Sequence, residues 1–311
     1  MLDVGRLRFF SEVVRAGSFS EAASRLSYTQ SAVSQQIATL EAELGLTLIE
    51  RRTRPMRLTA AGEALLRHVE SIFGEVATAE AELRAIAKLD TGLLRLGGFS
   101  SACATVLPRA VAQFLREHPK VKVTLAEMES VAAQRALRAG EIDLALTYEY
   151  PLIQPTLDDD FQRTFLGDDY QVIAMPANHR LAQERFLRIE QLKSECWVSV
   201  STTGPGSMHR QFVEETCARA GFQPDIRYEV GDLWTAFGLV AAGLAMAFVP
   251  TLACLSPHPA IVIRRPTNDI PPLRRVLALH IAQRRIPGVE PMLEVLQQDV
   301  PTQLASAPTL N

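Results

Sequence analysis

The chain has 311 residues, 47% hydrophobic and 22% charged, with a formal net charge of −3. That length holds two or three domains with well-filled cores, and the near-neutral balance excludes a protein that meets nucleic acid with its whole surface; any DNA site has to be local. Four cysteines (Cys103, Cys196, Cys217, Cys254) show no C-x-x-C spacing, which argues against a zinc site or a disulfide framework and fits a reducing, cytoplasmic setting; the first ten residues carry no apolar core of a secretory signal.

Leu7 to Ala16 predicts a first helix, with Leu7, Phe10, Val13 and Val14 on one stripe and Gly17 as its stop. Ser18 and Glu21 have the spacing of a capping box and open a second helix whose small apolar face is Ala22, Ala23 and Leu26. Ser27-Tyr28-Thr29 supplies turn chemistry, and Thr29 can cap a third helix in which Val33, Ile37 and Leu40 point inward. Gln30, Ser31, Ser34 and Gln35 then fall on the solvent face. This short uncharged strip of donors and acceptors suits the reading of base edges in a major groove, as in a helix-turn-helix. Residues 49–58 read as a short hairpin or wing. Residues 1–58 hold eight arginines against six acids, and half of those arginines lie between 51 and 57, a concentrated positive edge placed to grip phosphates.

Thr59 to Lys88 predicts one long proline-free helix. Leu65, Val69, Ile72, Val76, Ala79, Leu83 and Ile86 alternate spacings of four and three, the period of a coiled-coil seam, so pairing with a second copy is expected. Asp90-Thr91-Gly92 is a joint. Beyond it strands and helices alternate: strand 93–97, helix to about 118, strand 121–127, helix to Gly140, strand 142–148. A second set follows with strands 170–175, 197–200, 226–230 and 244–249 and helices 207–220 and 232–242; strand 276–280 and a helix near 291–299 close the chain, and the tail from Pro301 is expected to be disordered. The order implies parallel sheets covered by helices, in two halves that enclose a cleft. Leu233 to Leu255 carries no charge over a length that could span a bilayer, but Gly238, Gly243 and Pro250 divide it into helix, turn and buried strand. Hydroxyl and glycine loops stand at the two helix starts facing the cleft, Ser100-Ser101 and Thr202-Thr203-Gly204, and suit a carboxylate or similar anion.

The segments LRFFSEVVRAGSFSEAASRL, TQSAVSQQIATLEAELGLTLIERR, LTAAGEALL, GLLRLGG, GEIDLALT and AAGLAMAFVP, in this order and spacing, resemble the LysR-type transcriptional regulators over essentially the whole chain. The resemblance implies an α/β protein overall: an N-terminal winged helix-turn-helix (1–58), a pairing linker helix (59–89), and a two-lobed regulatory region like a periplasmic binding protein (90–300, with lobe I about 90–163 and 268–300, lobe II about 164–267), then a tail (301–311). It implies DNA contacts at Gln30, Ser31, Ser34 and Gln35 with wing support from Arg52 and Arg54. Effector contacts are implied at Ser100, Ser101, Thr147, Thr202 and Thr203. The partners expected are promoter DNA, a homodimer or homotetramer seamed through Leu65, Val69, Ile72, Val76 and Leu83, RNA polymerase, and a small organic effector in place of any cofactor. Three departures stand out: Ser31 where many members have Pro, Gln35 where many have Arg, and Ile49 where Phe is usual. Gln35 matters most, since it swaps a guanine-reading group for one matched to adenine.

Other readings have less behind them. Enzymatic chemistry needs converging groups, and the six histidines (68, 118, 179, 209, 258, 280) show no sequence pairing with a Ser, Cys or carboxylate motif. No catalytic or metal residues are assigned. A solute-binding protein needs an export signal. A redox-sensing regulator would draw on Cys196 or Cys217, and needs an exposed thiol in a positive neighbourhood.

Overall fold

The computed structural model describes residues 2–50, 56–86, 92–153, 160–184, 187–200, 207–254, 259–267 and 273–306. It divides into two compact units, residues 1–81 with 138–141, and the remainder.

In the first unit α1 (Val4–Ala16) is capped by Asp3 and stopped by Gly17 at φ 66°. Ser18 caps α2 (Phe19–Leu26), accepting from the Glu21 N–H at 3.2 Å. Only this forward half of the expected capping box forms. The Glu21 carboxylate turns to Arg25 instead (3.1 Å), an i,i+4 partner on its own face. The turn after α2 places Ser27 at φ 59°, the one non-glycine residue with positive φ among those described. That conformation costs roughly 1–2 kcal/mol. The paired helix-end bonds Ser27 N–H to Ser24 O and Tyr28 N–H to Ala23 O hold it in place. Thr29 caps α3 (Gln30–Leu44) through the Ala32 N–H, and Gly45 at φ 66° ends it.

The wing is β1 (Ile49–Glu50) paired antiparallel with β2 (Arg57–Leu58). The Glu41 carboxylate of α3 accepts from the Leu48 and Ile49 N–H groups (2.8 and 3.3 Å), fixing the wing against that helix. Thr59 caps α4 (Ala60–Ile86) through the Gly62 N–H; its 27 residues make a rod of about 40 Å. One core joins Leu7, Phe10, Val13, Ala22, Ala23, Val33, Ile37, Leu40, Leu48 and Ile49 to Val69 of α4. Ile49, in the position where Phe was expected, is fully buried there.

The second unit begins with β3 (Leu93–Gly98), α5 (Ser100–Ala104), α6 (Val106–Glu117), β4 (Lys122–Glu127), α7 (Ser130–Arg138) and β5 (Leu144–Glu149). β3 lies between β4 and β5, parallel to both. β6 (Phe161–Pro176) then runs through two lobes. Its first half pairs with β11 (Leu273–Ile281), which is itself antiparallel to β5, and its second half pairs with β9 (Ala247–Pro250) and β10 (Ile261–Arg264). The second lobe also contains β7 (Cys196–Val200), α8 (Met208–Arg219), β8 (Asp225–Val230) and α9 (Leu233–Ala241). β7 and β8 are parallel, and a bridge from Trp197 to Met246 ties them to the start of β9. α10 (Val289–Ser306) closes the chain.

The observed sheets correct the expectation of purely parallel strands: β6, β9, β10 and β11 pair antiparallel. The strand expected at 170–175 begins nine residues earlier, because its polar first half (FQRTFLGDD) is held by β11. The helix expected from Ser101 to His118 is two helices, α5 and α6, divided at Thr105. Residues 301–306, expected to be a disordered tail, continue α10 through Pro301, with Val300 and Gln303 buried as anchors. The apolar run 233–255 is α9, a turn at Gly243 (φ 75°) and β9; no described helix is long and apolar enough to cross a membrane.

Candidate functional site

Two surfaces carry the chemistry, one in each unit. In the first, Gln30, Ser31 and Gln35 are exposed on α3 and Ser34 is half-buried beside them. The Ser31 hydroxyl lies 3.0 Å from that of the cap Thr29, which orients the first turn; the Gln35 backbone carbonyl accepts from the Thr39 hydroxyl, and the residue itself is exposed. No acidic residue stands in the first turn of α3, so its free N–H groups face outward without a competing carboxylate. Tyr28, 57% exposed and set edge-on to Phe9 at 5.1 Å, adds an aromatic beside this strip in addition to its place in the turn. Exposed Arg57 on β2 brings one of the clustered arginines to the wing. Arg52 and Arg54 lie outside the described residues.

The expected seam on α4 is used in two ways. Val69 is fully buried and Leu65 half-buried in the unit's own core, so this end of the stripe is already covered; burying a side chain such as Val69 stabilises the fold by about 1.5–3 kcal/mol. Farther along, among the described side chains, Ile72 (38% exposed), Val76 (49%) and Ala79 leave an apolar surface. The side chain of Leu83 lies outside the described part of the helix.

In the second unit a half-open pocket lies between the lobes, with about 480 Å³ of empty space, part of it open to solvent. Every contributing loop follows the carboxyl end of a parallel strand: Phe99, Ser100 and Ser101 after β3, Glu129 after β4, Tyr148 and Tyr150 at the end of β5, Val200 at the end of β7, and Gly231, Asp232 and Leu233 after β8. His209, Pro250 and Arg274 complete it. Ser100 and Ser101 are therefore brought to the pocket. Thr147 is not. Side chains alternate along β5, so Tyr148 and Tyr150 face the pocket while Thr147, 1% exposed, is buried with its hydroxyl unpartnered. Thr202 and Thr203 lie outside the described residues.

The floor of the pocket is a buried polar cluster that sequence reasoning missed. Arg274 on β11 and Asp169 on β6 are register partners where the two strands pass between lobes. Asp169 Oδ2 accepts from Arg274 Nε (3.0 Å) and Nη2 (2.7 Å); its Oδ1 accepts from the Thr251 hydroxyl (2.7 Å) and the Leu252 N–H (3.3 Å). Arg274 Nη2 also donates to Ser101 Oγ (2.6 Å), and the guanidinium lies over the Phe99 and Tyr148 rings at 4.5 and 4.8 Å. Side chains of both lobes thus converge on one ion pair. No local motif announces it: the partners are 105 residues apart, and only the sheet register unites them.

On the wall, the Tyr148 hydroxyl donates to Glu129 Oε2 at 2.7 Å. Burial, then the Glu129 charge, raise the Tyr148 pKa well above the phenol's usual value; burial likewise raises that of Tyr150. His209 pairs with Ser199, 3.2 Å from Nδ1, a contact that no sequence motif announces. The Val200 N–H donates to the same nitrogen, so the hydrogen sits on Nε2 and is donated to the Phe248 carbonyl at 3.1 Å. Burial lowers the His209 pKa to about 4. A neutral imidazole spent on two backbone groups, next to a fully buried serine, is a structural brace across β7 and β9. The cysteines lean away from redox chemistry. Burial raises the thiol pKa of Cys103 to about 11 and those of Cys217 and Cys254 to about 12, the opposite of a reactive thiolate; Cys196 is half-buried.

A winged helix-turn-helix with an exposed polar reading face, together with a two-lobed α/β unit holding a pocket at its strand ends, defines a transcriptional regulator with a separate effector-binding domain. Comparison with known proteins agrees. Residues 4–63 match the family model of the bacterial regulatory helix-turn-helix protein, lysR family, and residues 87–301 match the LysR substrate binding domain. The chain is 32% identical to the HTH-type transcriptional regulator AlsR of Bacillus subtilis over 81% of this chain and 82% of that one. Among solved structures it is similar to CbnR, a LysR family transcriptional regulator (TM-score 0.62, 23% identity, 96% of this chain and 99% of that one). It is also similar to the BenM effector binding domain with its effector benzoate (TM-score 0.60, 21% identity, 70% and 96%). The chain belongs to the LysR family of bacterial transcriptional regulators.

Proposed function

We propose that this regulator reads promoter DNA with Gln30, Ser31, Ser34 and Gln35, holds phosphates with Arg52 and Arg54, and responds to a small organic effector in the interlobe pocket that uses the Ser100 and Ser101 hydroxyls, with no further cofactor. The observation that carries the reading is the joining of both lobes' loops around one pocket above the Asp169–Arg274 pair. An occupant there touches both lobes at once and shifts any equilibrium in their spacing by its differential contacts. Benzoate in the BenM domain supports a ligand of this size class. The protein acts as a homo-oligomer in the cytoplasm, pairing through the exposed stretch of α4 around Ile72 and Val76. Its readout is the activity of RNA polymerase at the bound promoter.

In vitro selection of binding sites by the full chain tests the DNA assignment. Gln35→Ala is expected to relax one base position by about 1–3 kcal/mol while leaving other positions unchanged. Arg52→Ala and Arg54→Ala should each weaken binding uniformly and reduce the salt slope by about one. An unchanged sequence logo for Gln35→Ala, or an unchanged slope for both arginine variants, overturns these roles.

A further inference from the structure

The charges around the interlobe pocket point to a different ligand chemistry from the anion that its hydroxyls alone suggest. Arg274 is the one cationic side chain in the described lining, and its charge is already met by Asp169, which it contacts through two nitrogens. Two carboxylates remain. Asp232 sits at the mouth, exposed, and both of its oxygens serve as the cap of α9, accepting from the N–H and hydroxyl of Thr235 at 2.9 and 2.7 Å. Glu129 is different. It stands at the position before α7, half-buried in the pocket wall, and its only hydrogen-bond partner among the described side chains is the Tyr148 hydroxyl on Oε2. No lysine, arginine or histidine among the described residues forms an ion pair with it. Residues 201–206, Ser-Thr-Thr-Gly-Pro-Gly, which follow Val200 in the sequence, contain no charged residue either.

A half-buried carboxylate facing a pocket whose one described cation, Arg274, is already paired with Asp169 repels a bare anion and leaves one oxygen open to a donor. Low local dielectric strengthens both effects. Phe99, Tyr148 and Tyr150 form the apolar wall beside it. Resting on the assignment of this pocket as the effector site, we propose that the effector carries a cationic amine, which pairs with Glu129 while its apolar body lies against the aromatic wall. Ser100, half-buried in the same lining, remains available for a polar substituent on the same molecule, while the Ser101 hydroxyl already accepts from Arg274.

The test uses the full-length protein and three probes that share a phenyl body and differ in charge: benzylamine, benzyl alcohol and benzoate. Each is titrated at pH 7 by calorimetry and by thermal shift, on the wild type, on Glu129→Gln and on Ser101→Ala. The expected result is that benzylamine binds the wild type more tightly than benzyl alcohol and far more tightly than benzoate. Glu129→Gln should weaken benzylamine about tenfold or more, the size of a charge-assisted hydrogen bond, and leave benzyl alcohol nearly unchanged. Preferential binding of benzoate, weakened by Ser101→Ala and indifferent to or improved by Glu129→Gln, overturns the amine proposal and leaves the pocket assignment standing. Benzylamine binding that Glu129→Gln does not weaken also overturns it. If no probe binds up to millimolar concentration, the pocket assignment itself fails and the amine proposal fails with it.

Discussion

Asp169→Ala isolates the energetics of the lobe junction. Asp169 is fully buried and accepts four hydrogen bonds; the side chain of its partner Arg274 is 6% exposed. Removing the carboxylate leaves a buried guanidinium held by Ser101 and two aromatic faces, and takes the acceptor from Thr251 and Leu252. Breaking a buried pair on one side costs about 3–5 kcal/mol. The same argument says that replacing both charges costs much less than the two single losses added, so Asp169→Leu combined with Arg274→Met should be strongly non-additive. Urea unfolding followed by tryptophan fluorescence is the suitable assay. The chain has two tryptophans, Trp197 and Trp234, and both lie in the second unit, with Trp197 fully buried. The signal therefore reports that unit alone. A midpoint shift worth under about 1 kcal/mol at constant slope, or an additive double variant, would refute the account of the junction.

Three further outcomes are expected. Gly62→Ala should destabilise the DNA-binding unit by about 1–3 kcal/mol or more, since a Cβ there comes within 2.1 Å of the Leu48 carbonyl, a backbone atom that cannot turn aside; an unchanged melting temperature contradicts this packing. Val76→Lys should yield folded monomers by light scattering, whereas Val69→Lys should unfold the first unit, because one position faces outward and the other is in the core; the same phenotype for both would mean that α4 is misassigned. His209, held neutral at about 4 against an ordinary 6.5, binds its proton more readily in the unfolded chain. Its contribution is complete above pH 6.5 and is lost as pH falls toward 4, about 3 kcal/mol at most, so His209→Asn should flatten the fall in stability across that window.

The sequence made the helices of the first unit legible because their information is local. Val33, Ile37 and Leu40 repeat at helical spacing, and caps and glycine stops sit at the ends. The same locality misled on α4. The stripe from Leu65 to Val76 is continuous in sequence, yet its first half is consumed by Leu7, Phe10 and their neighbours, which periodicity alone cannot register. Gly62 was visible only as a letter in a family segment; its reason is a carbonyl fourteen residues upstream. Only the second half of β6 is legible as a strand for a related cause, since the charged and polar residues 161–169 become a strand through β11, more than a hundred residues later. Ser100 and Ser101 could be found because a strand followed by hydroxyls at a helix start is a short-range pattern. Glu129, Tyr148 and Arg274 could not, because they meet only once the sheet has assembled.

The two strands β6 and β11 that pass between the lobes also define how the second lobe is attached. The chain leaves the first lobe at Asp169-Tyr170 and returns at Leu273-Arg274, and these residues are cross-strand neighbours. Exit and re-entry are therefore separated by one sheet spacing, about 5 Å, although roughly a hundred residues lie between them in sequence. Topologically the second lobe is a cassette inserted into a hairpin. A two-residue turn can join the same strand ends, so the first lobe can be asked to fold with the insert deleted. By the same geometry, a cassette from another relative can be grafted without re-threading the sheet, which would exchange the second-lobe lining of the pocket (Val200, His209, Asp232 and Pro250) while Glu129, the aromatic wall and the DNA-reading unit are left untouched.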